Sequence, residues 1–113
     1  MKYDPTPLMS IPRLEESREI GRRLTELRQA YQLRQADVAA RAGLSRSTAV
    51  LIEKGDPGRT VGQILRYLHA IAPELTLQSL LSNQIPAVVM HRAQQRTQRV
   101  RLLSDAQLKE IDF

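Results

Sequence analysis

Between Arg13 and Tyr31 the apolar positions Ile20, Leu24, Leu27 and Tyr31 fall at spacings of four, three and four, with Arg22, Arg23, Glu26 and Arg28 on the other faces. That pattern predicts an amphipathic helix. Residues 1–12, with Pro5, Pro7 and Pro12 and no period, read as an irregular arm. A second, short helix is predicted from Arg34 to Ala42, with Val38, Ala39 and Ala42 as a small inner face and Gly43 as its left-handed stop. Ser45 is suited to cap a third helix, Arg46 to Lys54, whose inner positions are Ala49 and Ile52 and which ends at Gly55. Gly55-Asp56-Pro57-Gly58 is a turn signal. Thr60 then caps a fourth helix through Ile71, with Val61, Ile64, Leu65, Leu68 and Ile71 as its apolar repeat.

After Pro73 the period becomes two: Leu75 and Leu77 alternate with Glu74, Thr76 and Gln78, which predicts a short strand. A lone strand leaves its backbone groups unpaired, so its expected partner is the same strand of a second copy across a two-fold axis. The expected architecture is therefore mostly α, a bundle of four to five helices with one C-terminal strand pairing across a homodimer. In sequence it divides into an arm (1–12), a main domain that holds the four helices and the dimerising strand (13–83) and a tail (84–113). Within the tail, residues 85–90 are apolar, residues 91–101 carry four arginines and no acid, and residues 102–113 carry three acids and one lysine. Ser104 and Gln107 have capping-box spacing, and Leu108 and Ile111 lie three apart, so a short separate helix is expected there.

Composition narrows the function. A chain of 113 residues without cysteine or tryptophan, and with a single phenylalanine, has room for one domain with an aliphatic core. Its net charge is +5, and fourteen of its seventeen cations are arginine, the residue suited to forked recognition of phosphates and guanine edges. Met1 to Ser10 lack the apolar run of a signal peptide, and no apolar stretch approaches the ~20 residues that cross a bilayer. A cytoplasmic protein without a membrane partner is expected. His69 and His91 do not have metal-ligand spacing with each other or with a carboxylate pair. There is no Gly-x-Ser-x-Gly elbow, no phosphate-binding glycine loop and no carboxylate dyad. The expectation is a binding protein, not an enzyme, with no catalytic residue, metal or cofactor.

The stretch Arg34-Gln35-Ala36-Asp37-Val38-Ala39-Ala40-Arg41-Ala42-Gly43-Leu44-Ser45-Arg46-Ser47-Thr48-Ala49-Val50-Leu51-Ile52-Glu53-Lys54-Gly55 carries most of the information. Small alanines let two helices cross closely, Gly43 permits the turn, and the next helix begins with hydroxyls and an arginine able to meet base edges in a major groove. Over roughly residues 18–72 the chain resembles the lambda-repressor-like, Xre-type helix-turn-helix family. The resemblance implies base reading by Arg46, Ser47, Ser45 and Leu51, with Arg46 forking to guanine. It implies DNA phosphate contacts from Gln35, Arg34, Thr48, Lys54, Arg59 and Thr60. Val50 and Leu51 depart from the polar residues common in the family, which leaves apolar contact with a thymine methyl as their form of readout. Glu53 is expected to pair with Arg28 or Arg41 and not with bases.

A narrower resemblance rests on Asp56-Pro57-Gly58-Arg59-Thr60 and on Glu74-Leu75-Thr76-Leu77. These are similar to the HipB-type antitoxins, whose dimers pair through C-terminal strands and bind both an operator and a kinase-fold toxin. It implies a dimer strand at Leu75, Thr76 and Leu77, a palindromic double-stranded DNA operator and a HipA-like toxin kinase as partner. Leu108, Ile111 and Phe113 are the candidate partner-binding positions of the tail. The resulting expectation is a sequence-specific transcriptional repressor acting as an antitoxin; the alternatives are a free-standing Xre-type regulator and a protein-interaction adaptor on the same fold.

Overall fold

Ser10 opens the first helix: its hydroxyl accepts from the Arg13 amide at 3.4 Å. Pro12 follows in the first turn, where its missing N–H and fixed φ suit a helix start. Helix α1 thus spans Ile11–Ala30, beginning two residues ahead of the sequence expectation, and the arm before it holds a 3-10 turn at Thr6–Leu8. The computed structural model describes residues 4–111, with side chains through residue 103. Helices α2 (Gln35–Ala42), α3 (Arg46–Lys54) and α4 (Val61–Ile71) follow where the caps place them. Gly43 and Gly55 take the expected left-handed conformation, with φ of 67° and 75°. Thr60 and Gln63 form a full capping box at the start of α4.

One core joins these elements. Leu24 and Leu27 of α1, Val38 and Ala39 of α2, Ala49 and Ile52 of α3, and Tyr67, Leu68 and Ile71 of α4 are all buried. The inner face of α4 is rotated from the expected one. Val61 and Leu65 are 64% and 43% exposed, and Tyr67 takes the inward position. The actual stripe is Ile64, Tyr67, Leu68 and Ile71, a three, one, three pattern that admits a residue with a polar tip because that tip finds a buried partner.

The predicted strand is not there, and among the described residues there is none. Pro73 and Glu74 form a turn, and Thr76 is the N-cap of a one-turn helix, α5 (Leu77–Leu80), its hydroxyl accepting from the Ser79 amide at 3.1 Å. Leu75 and Leu77 both pack on the core, and Leu80 is buried within it. Alternation over three residues is also what a capped helix start produces, with Leu75 before the cap and Leu80 at its fourth position as the two members of a hydrophobic staple. The strand pairing assigned to Leu75, Thr76 and Leu77 is thereby corrected.

The tail is corrected as well. Residues 86–111 form a single helix, α6 (Pro86–Ile111), with proline at its first position. Ser104 and Gln107 lie inside that helix, so they do not open a separate one. The first residues of α6 are seeded by burial of Ile85 and Val88 in the core. A sequence of Ala, Gln, Arg and Leu without glycine then lets the helix continue. The backbone at Leu108 and Ile111 belongs to α6; their side chains, and Phe113 altogether, lie outside the described residues.

Candidate nucleic-acid interface

The turn Gly43-Leu44-Ser45 sets α3 against α2, and buried Ala39, Ala42 and Ala49 allow the close approach. Arg66, reaching across from α4, donates to the carbonyls of Ala42 (3.1 Å) and Gly43 (2.8 Å), satisfying acceptors that the end of α2 leaves open. Arg66 is a brace for the turn. The other end of α3 is held more firmly. Glu53, 7% exposed at its side chain, receives a forked pair from Arg28, itself 15% exposed, at 2.8 and 3.0 Å. It also accepts from the Thr25 hydroxyl at 3.0 Å and from the Tyr67 hydroxyl. Arg28 in turn donates to the Leu33 carbonyl at 2.9 Å. Burial pushes the Glu53 carboxyl upward, but the hydrogen bonds from Arg28, Tyr67 and Thr25 and the Arg28 charge outweigh it and hold the group below its ordinary value. Burial, and then the bond to Glu53, pushes the Tyr67 hydroxyl up. The expected Glu53–Arg28 pair is thus the centre of a cluster tying α3 to α1 and α4. Thr25 and Tyr67 belong to it without having been foreseen; a tyrosine one position from Leu68 on the inner face of α4 is the signal that pointed there.

Close backbone packing completes the clamp. A Cβ on Gly21 would lie 2.5 Å from the Glu53 carbonyl, and one on Gly55 would lie 2.4 Å from Arg18 Cα. Ser17 donates to the Gly55 carbonyl at 2.5 Å across the same contact.

With its inner face so fixed, α3 presents Arg46, Ser47 and Lys54 to solvent, and Val50 and Leu51 half-buried beside them. Among the described residues Arg46 has no hydrogen bond or ion pair. Ser45 is the N-cap, its hydroxyl accepting from the Thr48 amide at 3.1 Å and donating to the Thr48 hydroxyl at 2.9 Å, with the Ser47 hydroxyl 3.1 Å away. Arg34 is exposed at the N-cap of α2 and Gln35 is half-buried at its first position, where free amides and the helix dipole favour an anion. Asp37, exposed in the same first turn, places a negative charge beside that position. The predicted contact residues therefore separate into two groups. Arg34, Arg46 and Lys54 stand open and Ser47 is exposed, while Ser45 and Thr60 are occupied as caps and the Thr48 and Ser47 hydroxyls both bond the Ser45 hydroxyl. Arg59 bonds Asp56 at 3.2 Å and is only 19% exposed, which makes it part of the turn before α4.

Two helices joined by a three-residue turn, the second with an open polar N-terminal face, form the geometry of a helix-turn-helix unit. Residues 19–76, just over half of the chain, match the family profile described as a helix-turn-helix domain. The chain belongs to that family. No curated protein and no solved structure matches it. The helix-turn-helix domain implies DNA as its partner, which accords with the open arginines of α2 and α3. No helix among the described residues is long and apolar enough to cross a membrane.

Proposed function

We propose that this helix-turn-helix protein is a sequence-specific DNA-binding transcription regulator, acting as a repressor at a palindromic operator, with binding and not catalysis as its work. The observation that carries the reading is the asymmetry of α3: one side is locked through Glu53 and Gly55 to the rest of the domain, and the other offers Arg46 without a competing partner, with Ser47 exposed beside it. Arg46 forks to a guanine edge, Ser47 accepts or donates to a neighbouring base, and Val50 and Leu51 meet thymine methyl groups. Arg34 and Lys54 hold phosphates on either side. The HipB-type antitoxin reading drew on Asp56–Thr60 and on a paired C-terminal strand. With Glu74–Leu77 in a turn and the start of α5, the strand no longer supports it, and the regulator reading stands without it.

Selection from a pool of random duplexes tests this. The expected outcome is a consensus made of two inverted half-sites about 34 Å apart. A pool that stays random after repeated selection overturns the reading.

A further inference from the structure

Helix α6 begins on the body of the domain and leaves it. Ile85 and Val88 are buried in the core, and Arg92 donates a forked pair to Glu26 of α1, at 2.9 and 2.5 Å. The face that makes these contacts continues at spacings of four and three through Arg96, Arg99, Leu103, Ala106 and Glu110, but α1 has by then diverged. Between the two helices lies an open cleft of about 870 Å³, lined by Arg96 and Arg99 together with Arg22, Arg23 and Arg92, the last three paired with its two acids, Glu19 and Glu26. Leu102 and Leu103, at 62% and 65% exposed, stand bare near the middle of the helix's free length. On one side of them residues 91–101 carry four arginines and no acid; on the other, residues 104–113 carry Asp105, Glu110 and Asp112 against Lys109.

We propose that α6 recognises a second copy of itself: two chains pair antiparallel through α6, crossing at Leu103, so that the acidic end of each helix lies against the arginine-lined cleft of the other. The charge order of the helix is self-complementary only in that orientation. Reflection about Leu103 puts residue 96 opposite 110, an arginine against an acid on the face that carries Leu103, whereas parallel pairing sets arginine on arginine. The two-fold axis brings Leu103 against its own equivalent, an isologous contact that closes at two copies. Among the described residues α6 packs on α1 and not comparably on α2 or α3, so pairing leaves the recognition helix open. This supplies the second copy that a palindromic operator calls for, and mass is read with no DNA present, so that pairing and operator binding fail separately.

The test is the mass of the full chain by sedimentation equilibrium. Wild type is expected at twice 12.8 kDa. Arg96→Glu and Glu110→Arg should each weaken pairing tenfold or more, and the two together in one chain should restore it, with helicity by circular dichroism confirming that each variant folds. Orientation is read by crosslinking in a chain that has no native cysteine. L103C should oxidise to a disulfide-linked pair, whereas R96C should not, because the two copies of residue 96 lie about 21 Å apart along antiparallel helices. A wild-type monomer, a dimer unmoved by either charge reversal, a double reversal that stays monomeric, or R96C crosslinking as fast as L103C each overturns the proposal.

Discussion

Glu53 is the side chain on which the placement of α3 turns. It is a buried carboxylate satisfied by Arg28, Thr25 and Tyr67. Truncating it strands the Arg28 guanidinium, so Glu53→Ala should cost about 3–5 kcal/mol in urea unfolding. Because its folded pKa lies below the ordinary value of 4.5, its stabilising effect is complete above that pH and is lost as pH falls through the folded value. Wild-type stability should therefore drop below about pH 4.5 more steeply than that of Glu53→Gln. Glycine substitutions give the second residue-scale check. In an exposed helix Gly→Ala stabilises by about 1 kcal/mol, and Gly62, whose added Cβ would find nothing nearer than 3.8 Å, should follow that rule. Gly21 should reverse it, since the Cβ would meet the Glu53 carbonyl at 2.5 Å; a loss of about 1–3 kcal/mol is expected in thermal melts. The arginine partner of Glu53 was legible in the sequence because charge and spacing narrowed it to two candidates. Gly21 was not, because a close approach between helices distant in sequence leaves no local signature.

Elements were readable where their ends were chemically marked. Ser45, Gly43, Gly55 and Thr60 placed α2, α3 and α4 to within a residue, since caps and left-handed stops act through the backbone nearby. The failures lie where one pattern has two physical origins. Leu75 and Leu77 flanking Thr76 suit either a strand or a stapled helix start, and burial on the domain's own core decided for the helix. The change from basic to acidic composition after Arg101 suggested a break, yet charge does not interrupt a helix; glycine or proline would have. The join between α1 and α6 is itself built from polar contacts. Arg23 donates to the carbonyls of Leu80 (3.1 Å) and Ser82 (3.0 Å) and to the Asn83 side chain (3.1 Å), fixing the segment that launches α6. Arg23→Ala should raise amide hydrogen exchange across residues 80–92 while leaving α2 and α3 protected as in wild type; faster exchange throughout would mean that Arg23 supports the whole domain instead.

For the molecule as a whole, the arithmetic of charge gives way to where the charges are free. Seven of the fourteen arginines, at positions 13, 22, 23, 28, 59, 66 and 92, are engaged with other parts of the chain. Those left open among the described residues fall into two groups, Arg18, Arg34, Arg41 and Arg46 on the domain and Arg96, Arg99 and Arg101 on α6. The two groups are spatially distinct in an elongated molecule of 62 × 33 × 26 Å, whose radius of gyration of 17.4 Å exceeds the ~13 Å of a compact chain this long. Overall charge could not show that division, which appears only once the structural arginines are set aside. With Arg34 and Lys54 as the phosphate contacts of one copy, log K for DNA should fall against log salt with a slope of about −2 per copy, and Arg34→Ala should reduce that slope by about one. The central claim, that α3 reads sequence through Arg46, is tested most directly by the ratio of affinities for the selected operator and for scrambled DNA at one salt concentration. Arg46→Ala should lower that ratio by about 5- to 100-fold, while Lys54→Ala should weaken binding to both duplexes alike; an Arg46→Ala protein that keeps the wild-type ratio would contradict the account.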